Sequence, residues 1–342
     1  MKLLPAFRQS PQIILWIALL VHASGCAQQA RSGWEYKGVS LENPPKPIAA
    51  TDVEHLAATG ATSVAVIPYA FMRSLDGELV YNSDYQWWGE RPEGCRTIIR
   101  LAHQEGMGSM VKPQVWIRGS YTGDYLPANA EAWLAWQKTY TDYIIEFAKI
   151  AEAEKAALFC IGTEFKGLTT TYPEFWRKLI GQVRSVYTGK LVYAANWDEY
   201  ERVEFWDALD YVGVNAYFPL TAQKDPLLAE IIAAWKPRKT QLSAISTKHQ
   251  RPILLTEFGY RSADGAVWQH WDIQSNPVNL DIQRLAYTAL FESLWFEPWC
   301  AGGFWWKWHF DEHRLNGNLD NDFSPQGKPA MEAIQTRYLR LE

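Results

Sequence analysis

Along this chain, short apolar runs alternate with longer stretches of helical spacing from Trp34 to the C-terminus. The runs at 36–41, 63–68, 109–113, 158–162, 191–195, 211–216, 253–256 and 303–308 have the length and composition of buried strands. Between them, apolar positions three and four apart predict helices at 51–59, 92–105, 129–154, 172–187, 226–249 and 277–296, with a last one at 329–341. Eight strands separated by helices call for parallel pairing, because each crossover needs a helix to cover the sheet. Eight such units over about 300 residues match a closed (β/α)8 barrel in size. A doubly wound open sheet would want a glycine-rich phosphate loop after its first strand, and Gly38-Val39-Ser40-Leu41-Glu42-Asn43 is not one. No repeat, linker or low-complexity segment divides the chain, so 34–342 is expected to be one barrel domain.

The N-terminus has a different pattern. Lys2 and Arg8 precede an apolar run at 13–21 and the small-residue stretch Ala23-Ser24-Gly25-Cys26. A charged segment, a short apolar segment and a small-residue cleavage site read as an export signal, too short for a comfortable transmembrane helix. Residues 23–26 resemble the bacterial lipobox, with Ala in place of Leu three residues before the cysteine. That resemblance implies a signal at 1–25, lipidation of Cys26 and a short tether at 26–33; an ordinary secretory cut near Ala27 is the alternative. Ala27, not being acidic, further implies the outer membrane. Cys95, Cys160 and Cys300 are odd in number and suggest no complete disulfide framework. Cys160, inside an apolar run, reads as a small buried hydrophobe.

Eighteen Trp and seventeen Tyr are far more than a core of this size requires, so either the core is unusually aromatic or a cleft is walled with rings. The segment 75–94 holds Tyr81, Tyr85, Trp87 and Trp88 and leaves the C-terminal end of the second strand, where barrels keep their binding surface. Trp87 and Trp88 are therefore expected to line a cleft. A net charge of −5 without any run of Lys or Arg excludes nucleic acid as a partner. His309-Phe310-Asp311-Glu312-His313 lacks a fourth ligand nearby and reads as a solvated loop, not a metal site. No cofactor motif is present, and a monomer is expected.

The ends of the strands carry the chemistry. The fourth run finishes Phe159-Cys160-Ile161-Gly162-Thr163-Glu164, the seventh Leu254-Leu255-Thr256-Glu257. A carboxylate ending a buried strand is costly unless it is hydrogen-bonded or functional. One alone would read as half of a salt bridge. Two facing each other across a barrel mouth fit acetal hydrolysis, which needs an acid at the leaving oxygen and a carboxylate at the anomeric carbon. Lys112 ends the third strand as a sugar-hydroxyl donor or a carboxylate partner, with Trp116 close by as a platform. Asn196, Trp197 and Asp198 end the fifth strand and could contact sugar, although Asp198 could equally cap the next helix. Strand alternation sends Trp306 and Trp308 to one face and Trp305 to the other, one of which should floor the sugar site.

Longer ordered matches accompany these residues: Val111-Lys112-Pro113, Ile161-Gly162-Thr163-Glu164-Phe165, Tyr193-Ala194-Ala195-Asn196-Trp197-Asp198, the stretch 205–220, and Thr256-Glu257-Phe258-Gly259-Tyr260-Arg261-Ser262. Together they resemble glycoside hydrolase family 113 of clan A. The resemblance implies a retaining enzyme that cleaves within β-1,4-mannan, with Glu164 as acid/base, Glu257 as nucleophile and Tyr217 hydrogen-bonded to that nucleophile. Thr163 stands where much of the clan has an Asn that holds the sugar 2-hydroxyl, and Gln114 where relatives have a His. A hydrolase of another β-glycan, such as a glucan or xylan, and a non-catalytic carbohydrate-binding lipoprotein are the alternatives. If Cys26 carries the lipid, wild-type protein partitions with membranes and Cys26→Ser moves it to the soluble fraction; unacylated wild type in the soluble fraction would refute the anchor.

Overall fold

The computed structural model describes residues 33–273, 275–310 and 320–339. Ten strands are found there: β1 (Tyr36–Leu41), β2 (Ser63–Val66), β3 (Tyr69–Met72), β4 (Gly108–Val111), β5 (Gln114–Ile117), β6 (Leu158–Thr163), β7 (Lys190–Asn196), β8 (Val212–Asn215), β9 (Ile253–Phe258) and β10 (Cys300–Trp308). Eight of them close a barrel in the order β1-β10-β9-β8-β7-β6-β4-β2, with every neighbouring pair parallel. The helices are α1 (Ala50–Ala57), α2 (Pro92–Gln104), α3 (Ala130–Ala153), α4 (Lys166–Thr171), α5 (Pro173–Arg184), α6 (Leu228–His249), α7 (Leu280–Leu294) and α8 (Pro329–Tyr338). Proline at the first turn starts α2, α5 and α8, where its missing N–H has no partner to lose. Asn129 and Asn279 cap α3 and α7 through their side-chain oxygens.

The (β/α)8 barrel expected from the pattern is present, with local differences. The second and third strands, expected to run through Pro68 and Pro113, break at these prolines, which cannot donate to a ladder. Each resumes as a four-residue strand, and β3 and β5 pair with one another outside the barrel, Tyr69 beside Gln114 and Phe71 beside Trp116. This lip stands above the barrel mouth. The helix expected at 172–187 is α5, and a short helix that the pattern did not predict, α4, precedes it; Pro173 separates the two.

Ala65, Met110, Leu158, Cys160, Val192, Ala194, Leu254 and Phe304 pack against one another as one buried cluster inside the barrel. A second cluster lies between strands and helices and takes in Trp136, Trp176, Trp235 and Trp305. Among the described residues eight tryptophans are buried, whereas Trp87, Trp116, Trp268 and Trp271 are exposed. The aromatic excess thus serves both core and surface. Cys95 and Cys160 are buried free thiols, and Cys300 is buried as well.

Close strand packing makes one glycine indispensable. A Cβ on Gly213 of β8 would lie 2.1 Å from the backbone oxygen of Tyr193 on β7, and backbone cannot give way as a side chain can. Gly213→Ala is expected to cost roughly 1–3 kcal/mol. Thermal denaturation should show this as a midpoint lowered by roughly 2–4 °C per kcal/mol.

Candidate active site

Two glutamates reach the C-terminal mouth by different local devices. Glu164 follows β6 directly with φ at +57°, a left-handed conformation that is unfavourable for a residue bearing a Cβ. Two donors pin the turn to β7: Glu164 N–H donates to the Ala194 carbonyl at 2.9 Å and Phe165 N–H to the Tyr193 hydroxyl at 2.7 Å. Glu257 lies within β9, where Leu254 faces the barrel interior and Leu255 the helices. Simple alternation would turn Glu257 outward. A register shift in the β8–β9 pairing, Val214 with Leu255 but Asn215 with Glu257, inserts Thr256 as an extra residue and lets Glu257 face inward.

Each carboxyl has its own partners. Glu257 Oε1 receives the ammonium of fully buried Lys112 and the Gln114 amide at 3.0 Å, while Oε2 accepts the Tyr217 hydroxyl at 2.7 Å. Gln114 is oriented in turn by the Tyr69 hydroxyl, which donates to its Oε1 at 2.7 Å. Glu164 Oε1 accepts from Asn215 Nδ2 at 2.8 Å and Oε2 from the Tyr121 hydroxyl at 2.9 Å. Burial, followed by the negative charge of Glu257, raises the Glu164 pKa above the usual carboxylate range; Asn215, Tyr121 and Lys112 pull the other way. Burial and the Glu257 carboxylate hold the Tyr217 hydroxyl well above its ordinary pKa, so it remains a donor.

Both carboxyls line one cavity of about 120 Å3, together with Thr163, Gln114 and Trp306. Trp306 also lines a larger neighbouring cavity of about 520 Å3, walled by Tyr69, Phe71, Trp87 and Trp116 with Glu42 and Lys307. Lys112 and Lys307 stand 5.9 and 5.7 Å from the centre of the Trp306 ring. On the Glu164 side, Asn196 donates to the Tyr121 hydroxyl at 3.0 Å, and Trp197 stacks against Trp271 with centres 6.2 Å apart. Asp198 pairs with Lys166 at 2.5 Å and caps no helix. Lys112, open between two readings in the sequence, is the partner of a carboxylate.

Two tryptophans and a histidine differ from expectation. Trp308 is buried and borders a separate cavity with His55, Gln326 and Met331, because the β1–β10 register skips Lys307 and breaks the alternation that paired it with Trp306. Trp88 packs against the core beneath the loop; Trp87 alone of the pair reaches the cleft. His309, expected in solvated loop, is buried between the carboxylates of Glu42 and Asp322, and those contacts raise its pKa. Asp311, Glu312, His313 and Cys26 lie outside the described residues. Asn215 and Tyr121 were not singled out in the sequence. Asn215 sits in Val214-Asn215-Ala216-Tyr217 at the end of β8, and that strand-end position was the available signal.

A parallel eight-stranded barrel presenting two glutamates of unlike surroundings to one aromatic cavity is the constellation of a glycoside hydrolase. The model of glycoside hydrolase family 113 matches residues 34–328, and the chain belongs to that family. Among solved structures, the chain is similar to a family 113 β-mannanase from Alicyclobacillus acidocaldarius, with 25% identity, 89% of this chain and 97% of that one covered, and a TM-score of 0.77. A family 113 β-1,4-mannanase at 24% identity (90% and 99% covered, TM-score 0.76) shares the fold. So does a Faecalibacterium prausnitzii β-glucuronidase at 15% identity (89% and 48% covered, TM-score 0.61), about half of whose length the chain spans. No curated protein sequence matches.

The opposing influences on Glu164 can be separated. Glu257→Gln removes the negative charge that raises the Glu164 pKa and leaves the Lys112 ammonium unmatched, so that pKa should fall. Asn215→Ala removes a donor that favours the ionised form, so it should rise. A carbon-13 NMR titration of glutamate-labelled protein reads both directions, and a shift of the wrong sign in either variant contradicts this account.

Proposed function

We propose that this chain is a retaining endo-β-1,4-mannanase with Glu257 as nucleophile and Glu164 as acid/base. The observation that carries the reading is the pair of carboxyls on one cavity with opposed surroundings, one held by a buried ammonium and two further donors, the other kept prone to protonation. The Glu257 carboxylate attacks the anomeric carbon while Glu164 gives its proton to the departing oxygen, leaving a glycosyl ester on Glu257. Glu164, now ionised, takes a proton from water, whose oxygen attacks the same carbon and frees Glu257. Tyr217, Lys112 and Gln114 hold the nucleophile throughout. Thr163, on the wall beside both carboxyls, and Trp306, beneath the cavity, are positioned to contact the sugar being cleaved.

Aromatic surface on both sides supports cleavage within a chain. Trp87, Trp116 and Trp306 wall the cavity next to the reacting one, and Trp197, following the Asn196 that donates to Tyr121, stacks on exposed Trp271. Mannan as substrate rests on family membership and on likeness to the A. acidocaldarius β-mannanase. The N-terminal pattern supports export with a signal at 1–25, a lipid on Cys26, a tether at 26–33 and a catalytic domain at 34–342, held at the outer membrane.

Proton NMR during hydrolysis of a β-1,4-manno-oligosaccharide should show the β-anomer first, with β-1,4-mannan cut faster than cellulose or xylan. Glu257→Ala should lose turnover by about 10⁴-fold or more and, with azide, form the α-glycosyl azide. An α-anomer released first by wild type refutes the mechanism, whereas preference for glucan or xylan removes only the mannan assignment.

A further inference from the structure

A third carboxyl lies behind the Glu164 turn. Glu199, just past β7, is buried, and its three partners are two hydroxyls and one N–H, with no cation among them. Its Oε1 accepts from Tyr193 at 2.7 Å and Thr169 at 2.8 Å, and its Oε2 from the Asn196 N–H at 3.1 Å. Two hydrogen-bonded chains run from these partners to Glu164. In one, the Tyr193 hydroxyl that donates to Glu199 accepts the N–H of Phe165, the residue after Glu164. In the other, Asn196, whose backbone Glu199 holds, donates through its side chain to Tyr121, which donates to Glu164 Oε2.

We infer that Glu199 is a positioning residue that fixes both the left-handed backbone and the carboxyl of Glu164. The inference rests on the proposed acid/base role of Glu164. A buried carboxylate with no cation beside it is costly unless its geometry is used, and here the geometry converges on Glu164, a site residue held in the left-handed region. The three donors, Tyr193, the Asn196 N–H and Thr169, favour the ionised form. Burial outweighs them and pushes the Glu199 carboxyl up to about 7, the charge of Glu164 adding to the rise. A neutral isostere keeps the volume and loses the charge that organises all three donors.

The test compares leaving groups in the full-length protein. Glu199→Gln should lower kcat/KM on a β-1,4-manno-oligosaccharide by about 10-fold or more, through kcat with little change in KM. On dinitrophenyl β-mannobioside, whose leaving group needs no proton, kcat/KM should change by less than about 3-fold. Tyr193→Phe cuts the backbone chain while both glutamates stay in place and should give the same split, deciding the matter alone if Glu199→Gln does not fold. Equal losses on both substrates, or no loss on the oligosaccharide, overturn the inference. Glu164→Ala run in parallel separates the two claims. If it spares the dinitrophenyl substrate and the Glu199 and Tyr193 variants do not, only the positioning role fails; if it shows no leaving-group dependence, the acid/base reading fails with it.

Discussion

Lys112 and Glu257 form an ion pair almost wholly out of water, and charges so placed must be matched donor for donor. Lys112 sits at the end of β4 with its side chain fully covered, so its ammonium has little to bind except the carboxylate across the barrel. Glu257 completes its own shell with Gln114 and Tyr217. The β8–β9 bulge, the break after Lys112 and the lip that carries Gln114 all converge on this one charge. Removing either partner would leave the other stranded.

The same charge decides where the site keeps its proton. Glu164 stands in the field of Glu257 at the water-poor top of the barrel, which penalises a second negative charge there. Its own donors, Asn215 and Tyr121, are neutral amide and hydroxyl groups, weaker than the ammonium across the cavity. Unlike surroundings thus give two chemically identical side chains different behaviour.

The architecture was readable because each buried strand is a short apolar run and each crossover a helix of the right period. Glu164 and Glu257 were readable because each closes such a run with a group that apolar surroundings do not tolerate idly. What escaped depends on breaks in periodicity or on contacts between distant segments. A skipped residue in the β1–β10 register separates Trp306 from Trp308, and neither propensity nor composition marks it. Asn215 meets Glu164 across 51 positions and Tyr121 meets it across 43, so nothing local distinguishes these from any strand-end Asn or loop Tyr. The strands β3 and β5 look like tails of their predecessors until the prolines between them are given their full weight.

That pair of strands has a consequence for how such a cleft can diversify. Gln114 and Trp116 are two residues apart on β5 and so project to the same side, one toward the nucleophile and the other toward the aromatic cavity wall. Continuing from the barrel at Pro68 and Pro113 and packed on its core through Met72 and Ile117, the lip is an awning over the mouth. Its outer edge can be lengthened, shortened or repainted with other side chains to suit a different polymer, while the inner edge keeps its grip on the reacting centre and the barrel beneath is left unaltered.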